Sequence, residues 1–334
     1  MFTPSDRRAR AAGIALGMLL DAAAGDPRRW HPVAGYGRLM GWFERGIYRP
    51  SRVRGAGFTA AALAGPIALG LVAEAAAGGA GRHSLRMGWT ARLAITAAAT
   101  WMALGGTSLA REGEAMASSL AAGDLGAARN RLSHLCARDG QNLPAPELAR
   151  ATVESLAENA SDAVVAPLLW AAAAGVPGVL GYRAVNTLDA MVGYRSQRYL
   201  RFGWASARLD DLVNLVPARL TGLITVGCAW IVGGSARDTW RIMIRDSRNH
   251  PSPNAGWCEA SAAAALGVQL GGTNVYDGLT EIRPALGAGG RPVEVADIRR
   301  AVRLGRSVAA AGTAVSMALT MLAGCAGFRR GRGE

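Results

Sequence analysis

The sequence predicts an all-α, polytopic integral membrane protein with several Ala/Gly-rich transmembrane helices, at least one broken or re-entrant, and helical or loop segments at the membrane edge. Three observations predict it. Half of the 334 residues are apolar and only 18% are charged. The apolar half leans on alanine and is accompanied by 44 glycines, which suits close helix–helix contact. The charges fall between long charge-free runs, not within them. The chain reads as one membrane-embedded domain over 1–334, with a polar helical insertion at 111–160 and a polar loop region at 237–306.

In chain order, Arg7, Arg8 and Arg10, an apolar stretch from Ala11 to Leu20 and then Ala22-Ala23-Ala24 have the outline of a cleavable signal peptide. Charge-free runs follow at Gly55 to Ala73, Leu93 to Ala110, Ala163 to Tyr182, Leu220 to Ala236 and Ser307 to Phe328. Each is close to the roughly 17–25 residues a helix needs to cross a bilayer. The first two and the last are expected spans. The third holds Pro167, Gly175, Pro177 and Gly178, so a broken or re-entrant helix competes with a simple span. The fourth is short and follows Pro217 and Arg219. Between Arg111 and Ala160, Leu125, Ala128, Leu132 and Leu135 at helical spacing, then Pro144 and Pro146 ahead of Glu147, predict a water-facing helical pair. Pro251, Pro253, Pro284 and Pro292 make the segment from Arg237 to Arg306 too loop-like for one helix. The Arg329-Arg330-Gly331-Arg332 tail reads as a solvated cytoplasmic end, giving a multi-pass protein of the cell membrane.

Composition also excludes chemistry. The 37 basic residues against 24 acidic give +13, and every basic residue is arginine. Without lysine there is neither a Schiff-base lysine nor a GxxxxGK[ST] phosphate loop. The basic residues are spread between apolar runs and form no aromatic-spaced patch, so no nucleic acid partner is expected. Cys136, Cys228, Cys258 and Cys325 lie far apart with no CxxC spacing, which argues against zinc and against a disulfide scaffold.

Four polar constellations border the apolar runs. Asp21, Asp26 and His31 surround Gly25-Asp26-Pro27 and Trp30-His31-Pro32, either an ordinary turn or a metal or phosphate site. Glu154, Glu158 and Asp162 are spaced i, i+4, i+8, which on a regular helix stacks three carboxylates; the arrangement is costly unless a cation or an arginine is nearby. Tyr182 to Arg195 and Phe202 to Arg219 concentrate Arg183, Asn186, Asp189, Arg195, Arg208, Asp210, Asp211 and Arg219 at a membrane edge, where arginine forks suit phosphate oxygens and carboxylates suit Mg²⁺. His250-Pro251-Ser252-Pro253-Asn254-Ala255-Gly256-Trp257-Cys258-Glu259 is a loop held in shape by its prolines, with its His, Ser and Asn fixed in place.

These residues resemble the CobD/CbiB family of membrane proteins, the adenosylcobinamide-phosphate synthases of cobalamin biosynthesis. The similar elements are LLDxxxGDPxxxHPV (Leu19 to Val33), ESLAENxSDxVVAPLxW (Glu154 to Trp170), YRAVNTLDxMVGYR (Tyr182 to Arg195), FGWxxARLDDxxNxxPARLT (Phe202 to Thr221) and HPSPNAGWxE with LGVQLGG (His250 to Gly272). They follow the family's order over most of the chain. Cys258 stands where the family often has proline, Ala163 where it often has glycine, and the region after Tyr276 diverges. Signal-peptide cleavage after Ala24 would discard Asp21 from a matching segment.

The resemblance implies an ATP- and Mg²⁺-dependent ligase that joins an aminopropanol, or its O-phosphate, to the propionate carboxylate of adenosylcobyric acid. The adenosylcorrinoid is then substrate, and the bilayer and other late cobalamin-pathway enzymes are the expected partners. A soluble pyridoxal-phosphate decarboxylase that shares the name CobD in some organisms is excluded by the missing lysine. On this reading Glu158, Asn159, Asp162, Asp210 and Asp211 hold Mg²⁺, while Arg183, Asn186, Arg195, Arg208, Arg219, Ser252 and Asn254 bind ATP or the amino-alcohol phosphate. His250, Glu158 and Asp189 are the catalytic candidates, His250 as acceptor of the amine proton with His31 as second choice, and Asp21, Asp26 and His31 complete the motif set. A corrinoid or small-molecule transporter, or a non-catalytic scaffold for pathway enzymes, is the rival expectation.

Overall fold

The computed structural model describes residues 3–26, 31–136, 138–194, 196–276 and 279–323, with strand residues 273–276 and 279–282 described by their backbone alone. Pro27, Trp30, Arg195, Cys325 and the arginine tail lie outside the described residues. Helices α1 (Pro4–Ala24), α2 (Pro32–Ile47), α3 (Arg52–His83), α4 (Leu85–Ala103), α5 (Gly106–Ala121), α6 (Leu125–Leu132) and α7 (Ala145–Ala160) come first. There follow α8 (Ala166–Val192), α9 (Tyr199–Phe202), α10 (Trp204–Val213), α11 (Leu215–Cys228), α12 (Ala236–Asp246) and α13 (Ala255–Leu266). A hairpin of β1 (Leu270–Tyr276) and β2 (Leu279–Leu286) precedes α14 (Val295–Leu322). The protein is thus an all-α polytopic membrane protein with one small hairpin among the described residues. Four helical stretches are long and apolar enough to cross a membrane: Arg52–His83, Leu85–Ala121, Ala145–Val192 and Leu215–Val232.

The last expected span is not among these four. Helix α14 covers its described part, with Asp297, Arg299, Arg300, Arg303 and Arg306 in the first half of the helix, and the end of that run lies outside the described residues. The segment 237–306 is also more ordered than its prolines suggest. Pro251 and Pro253 fall in the link between α12 and α13 and Pro292 precedes α14, so they punctuate helices.

The chain divides into two compact units, one of Met1–Leu104, Ala166–Val213 and Gly312–Glu334, the other of Gly105–Val165 and Asn214–Ala311. In the first, Thr3 and Asp6 form a capping box on α1. Gly13 and Gly17 let α4 approach: a Cβ on either would fall 2.7 Å from the Cβ of Thr96 or Thr100. The helix with a signal-peptide outline is therefore packed into this unit, with Ala9 and Ile14 fully buried. Phe43, Phe58, Phe202 and Tyr48 form an aromatic core joining α2, α3 and α9, with ring centroids 5.2–5.6 Å apart along the chain of contacts.

Helix α8 is broken as expected for the third run. Gly175 sits at φ 68°, ψ −149°, two residues before Pro177. The Glu74 carboxylate of α3 accepts the Val176 N–H at 3.1 Å, capping the restarted helix, and Arg10 donates to the same oxygen at 3.1 Å. A Cβ at Gly175 would lie 2.1 Å from that oxygen, so both the backbone angle and the space require glycine.

In the second unit α7 is almost wholly buried and runs into a π turn over Ser161–Val165. Asp297 of α14 is fully buried and accepts from Arg291 and Arg300 at 2.7–2.8 Å; Arg300 also donates to the Leu266 and Val232 carbonyls, closing the ends of α13 and of the 3₁₀ turn after α11. These bonds, beside burial that opposes them, hold the Asp297 carboxyl below its ordinary pKa.

Candidate functional site

A buried polar cluster of the second unit is built from α7, α13, the loop before α13 and the hairpin. Glu154 lies on the buried face of α7. Its Oε2 accepts from Arg138 at 2.6 Å, and its Oε1 accepts from Arg150 one turn back at 2.8 Å and from the Gly271 N–H at 2.8 Å. Arg150 also donates to the Gly271 carbonyl at 2.5 Å and pairs with Glu147. The side chains of Arg138 and Glu154 are 4% and 5% exposed. Gly271 stands at φ 85° beside a register shift between Leu270 and Gly272, and that bulge turns its N–H toward Glu154.

The hairpin then pairs Gly272 with Arg283, which delivers a guanidinium to the other half of the cluster. Arg283 Nη1 lies 3.4 Å from His250 Nε2, and His250 Nε2 lies 3.5 Å from Glu259 Oε1. The His250 and Glu259 side chains are only 4% and 2% exposed. His250 Nδ1 accepts the Ser252 N–H at 3.0 Å, which turns Nε2 toward Glu259 and Arg283. Burial pushes the Glu259 carboxyl pKa well above the ordinary range; the nearby Glu154 and Glu158 carboxylates push the same way, and Arg283 and Arg138 pull it back. Burial, with Asp162 and Glu158 close by, likewise raises the Cys258 thiol, which stays protonated and contacts the Ala218 carbonyl as an inert core group.

Of the residues singled out by sequence, His250 and Glu158 thus belong to one cluster. Asp162, placed by the π turn off the regular α spacing, acts electrostatically on Cys258. Others in this unit are engaged in holding local structure. Ser252 Oγ accepts the Asn254 and Ala255 N–H groups at 3.3 and 3.2 Å and so caps α13, with Asn254 as its N-cap residue. Asn159 donates back to Ser155 on its own helix, and Arg219 donates to the Leu215 carbonyl while lying 5.0 Å over the Trp257 ring. The expected ladder of three carboxylates is not a metal nest: among the described residues no three His, Cys, Asp or Glu side chains gather as one. Arginines meet Glu154 instead.

The remaining candidates lie in the first unit. Asp21 is fully buried on α1, while Asp26 Oδ1 is 3.6 Å from His31 Nε2. His31 Nδ1 accepts the Val33 N–H at 3.2 Å, which makes it the cap of α2. Arg183 donates to Asn186 at 3.3 Å along α8. The Asp189 carboxylate fills the space a Cβ on Gly193 would take, at 1.9 Å. Asp210 and Asp211 are half-buried on α10, and Arg208 is exposed there. Sequence reading missed Glu259, Arg283, Arg138 and Arg150. Glu259 closes the HPSPNAGWxE motif and was visible there as a carboxylate; nothing local marks the arginines.

Residues 14–305 match the family described as CobD/Cbib protein. The chain is 52% identical over 310 residues to the cobalamin biosynthesis protein CobD of Mycobacterium tuberculosis (strain ATCC 25618 / H37Rv), covering 93% of this chain and 96% of that protein. It is 46% identical to the protein of that name from Geobacter metallireducens, covering 88% and 91%, and 40% identical to that of Pelobacter propionicus, covering 92% and 95%. No solved structure matches.

Proposed function

The chain belongs to the CobD/Cbib protein family, and from that premise we propose that it serves cobalamin biosynthesis as an ATP- and Mg²⁺-dependent ligase. It joins (R)-1-amino-2-propanol, as its O-phosphate, to the propionate carboxylate of adenosylcobyric acid. A carboxylate does not acylate an amine at neutral pH because oxide is a poor leaving group. Transfer of the ATP γ-phosphoryl to the propionate gives an acyl phosphate and ADP; the amine attacks its carbonyl, loses a proton, and phosphate departs.

The observation that carries the reading is the His250–Glu259 pair beside Arg283. The attacking amine must give up a proton, and the Glu259 carboxyl, whose pKa burial and the neighbouring carboxylates raise, stands against an imidazole with which a proton can be shared. Because His250 Nδ1 is occupied by the Ser252 N–H, His250 acts here by turning Nε2 toward Glu259, and Glu259 is the proton acceptor. Arg283, held in reach by the hairpin, supplies a fixed positive charge for the departing phosphate, a role that no lysine can fill in this chain. Glu158 and Asp162, both close to Cys258 in the second unit, would be the carboxylates available to the hydration shell of a Mg²⁺ carried on the nucleotide's phosphates.

The test is purified protein with adenosylcobyric acid, aminopropanol phosphate, ATP and Mg²⁺, read by mass spectrometry. Amide product with stoichiometric ADP supports the ligase. Corrinoid flux into proteoliposomes without chemical change would replace it with the transporter.

A further inference from the structure

Helix α12 has a face that neither the fold nor the proposed reaction uses. Its inward side is Thr239, Met243 and Asp246, all buried. On the outward side Trp240 and Ile244, one turn apart, are 48% and 45% exposed. Arg237, Arg241 and Arg245 are exposed alongside them, and Arg248 follows in the next turn. Arg241 pairs with Asp238 at 3.1 Å and Arg245 with Asp246, and Arg237 and Arg248 leave the surface net positive. A large indole beside isoleucine on a strongly basic helix is the composition of a segment that lies in a membrane surface.

Its position in the chain says which surface. The stretch Leu215–Val232 is apolar enough to span, and Trp230 near its end is 73% exposed. Three residues separate that end from α12. Gly233 takes the left-handed conformation at φ 79°, and a Cβ on Gly234 would meet the Ala265 carbonyl oxygen at 2.3 Å. This glycine corner sets where α12 leaves the span, and Trp230 marks the interfacial level at which aromatic side chains collect. The α12 surface thus continues the membrane-facing one, and its arginines match the charge of acidic headgroups.

We propose that α12 is an in-plane interfacial helix, with Trp240 and Ile244 seated at the headgroup–acyl boundary and Arg237, Arg241 and Arg248 bound to anionic phospholipid headgroups. The excess of arginine places this surface on the cytoplasmic leaflet.

The full-length protein in nanodiscs tests it. Emission assigned to Trp240, as the difference between wild type and Trp240→Phe, should be quenched by lipid brominated near the headgroup end of the acyl chain and be shielded from aqueous acrylamide. Acrylamide quenching with no effect of brominated lipid would overturn the proposal. Hydrogen exchange of α12 in the wild type needs no variant: it should slow about tenfold when phosphatidylglycerol replaces phosphatidylcholine, and the slowing should be lost in Arg237→Gln/Arg241→Gln. Equal exchange in both lipids, or equal protection from inorganic phosphate in phosphatidylcholine, would assign the arginines elsewhere and overturn the lipid assignment.

Discussion

Each unit contains a glutamate that fastens the chain at a positive-φ glycine, half-buried in the first and buried in the second, and the two differ in how completely the carboxylate is used. In the first unit Glu74 accepts the Val176 N–H after Gly175 and one bond from Arg10. In the second, Glu154 accepts the N–H of Gly271 itself and bonds from both Arg138 and Arg150. The first anchor fixes a helix break within the stretch Ala145–Val192; the second fixes the hairpin that carries Arg283. Glu259 is a contrast to both, since it meets an imidazole at 3.5 Å under the field of two other carboxylates. A carboxylate surrounded by guanidinium and amide donors is committed to structure. One held in a proton-sharing contact, with burial and like charge favouring its acid form, is available for chemistry.

The comparison can be broken at its strongest member first. Glu154→Ala leaves two arginines without their shared buried acceptor and releases the hairpin, an expected loss of roughly 3–5 kcal/mol. Detergent-solubilised protein should show it as a large drop in Tm, and a loss below about 1 kcal/mol would mean that Glu154 is not the anchor. Glu74→Gln keeps an acceptor for Val176 but removes the charge facing Arg10, so about 2 kcal/mol is expected by the same measurement. If it matched Glu154→Ala, the two anchors would be equivalent after all.

Glu259→Gln should separate from both. It removes a group whose folded-state pKa is raised, so the stability that group confers is present in full below its unfolded pKa and is lost as pH rises through the folded value. Wild type should therefore lose stability as pH rises above the ordinary carboxylate range, where Glu259→Gln stays level, while turnover of the variant falls about a hundredfold or more. Normal turnover with the altered pH profile would remove Glu259 from catalysis. The smallest effect is expected at Asp246, which pairs with Arg245 and accepts the Gly287 N–H at 2.8 Å, and whose carboxyl is lowered. Its contribution is present above the unfolded pKa and lost as pH falls through the folded one, so Asp246→Asn should cost about 1 kcal/mol at pH 7 and nearly nothing in strong acid.

Much of the fold was legible because the signals are local. Charge-free runs fall on all four apolar stretches, the first two read as spans and the other two left open, and Gly175 with Pro177 announced the break in α8. The last run shares one continuous helix with an arginine-bearing half, and its end lies outside the described residues. Of the site, His250 and Glu158 were legible from a proline-fixed loop and from helical spacing. Arg283 was not: it lies in a divergent stretch and gains its meaning from pairing across a hairpin.

By itself the sequence determined the membrane-helical class, the lysine-free basic chemistry and the family, since composition, periodicity and motif order need no coordinates. Which glutamate is neutralised and which keeps a titratable partner was decided only in the tertiary structure. Glu154 and Gly271 are 117 residues apart, and the charges that set the state of Glu259 come from α7, the hairpin and Arg138. Periodicity places a side chain on a face of its own helix, but the charge state of a buried carboxylate depends on distances to groups that the chain brings together only on folding.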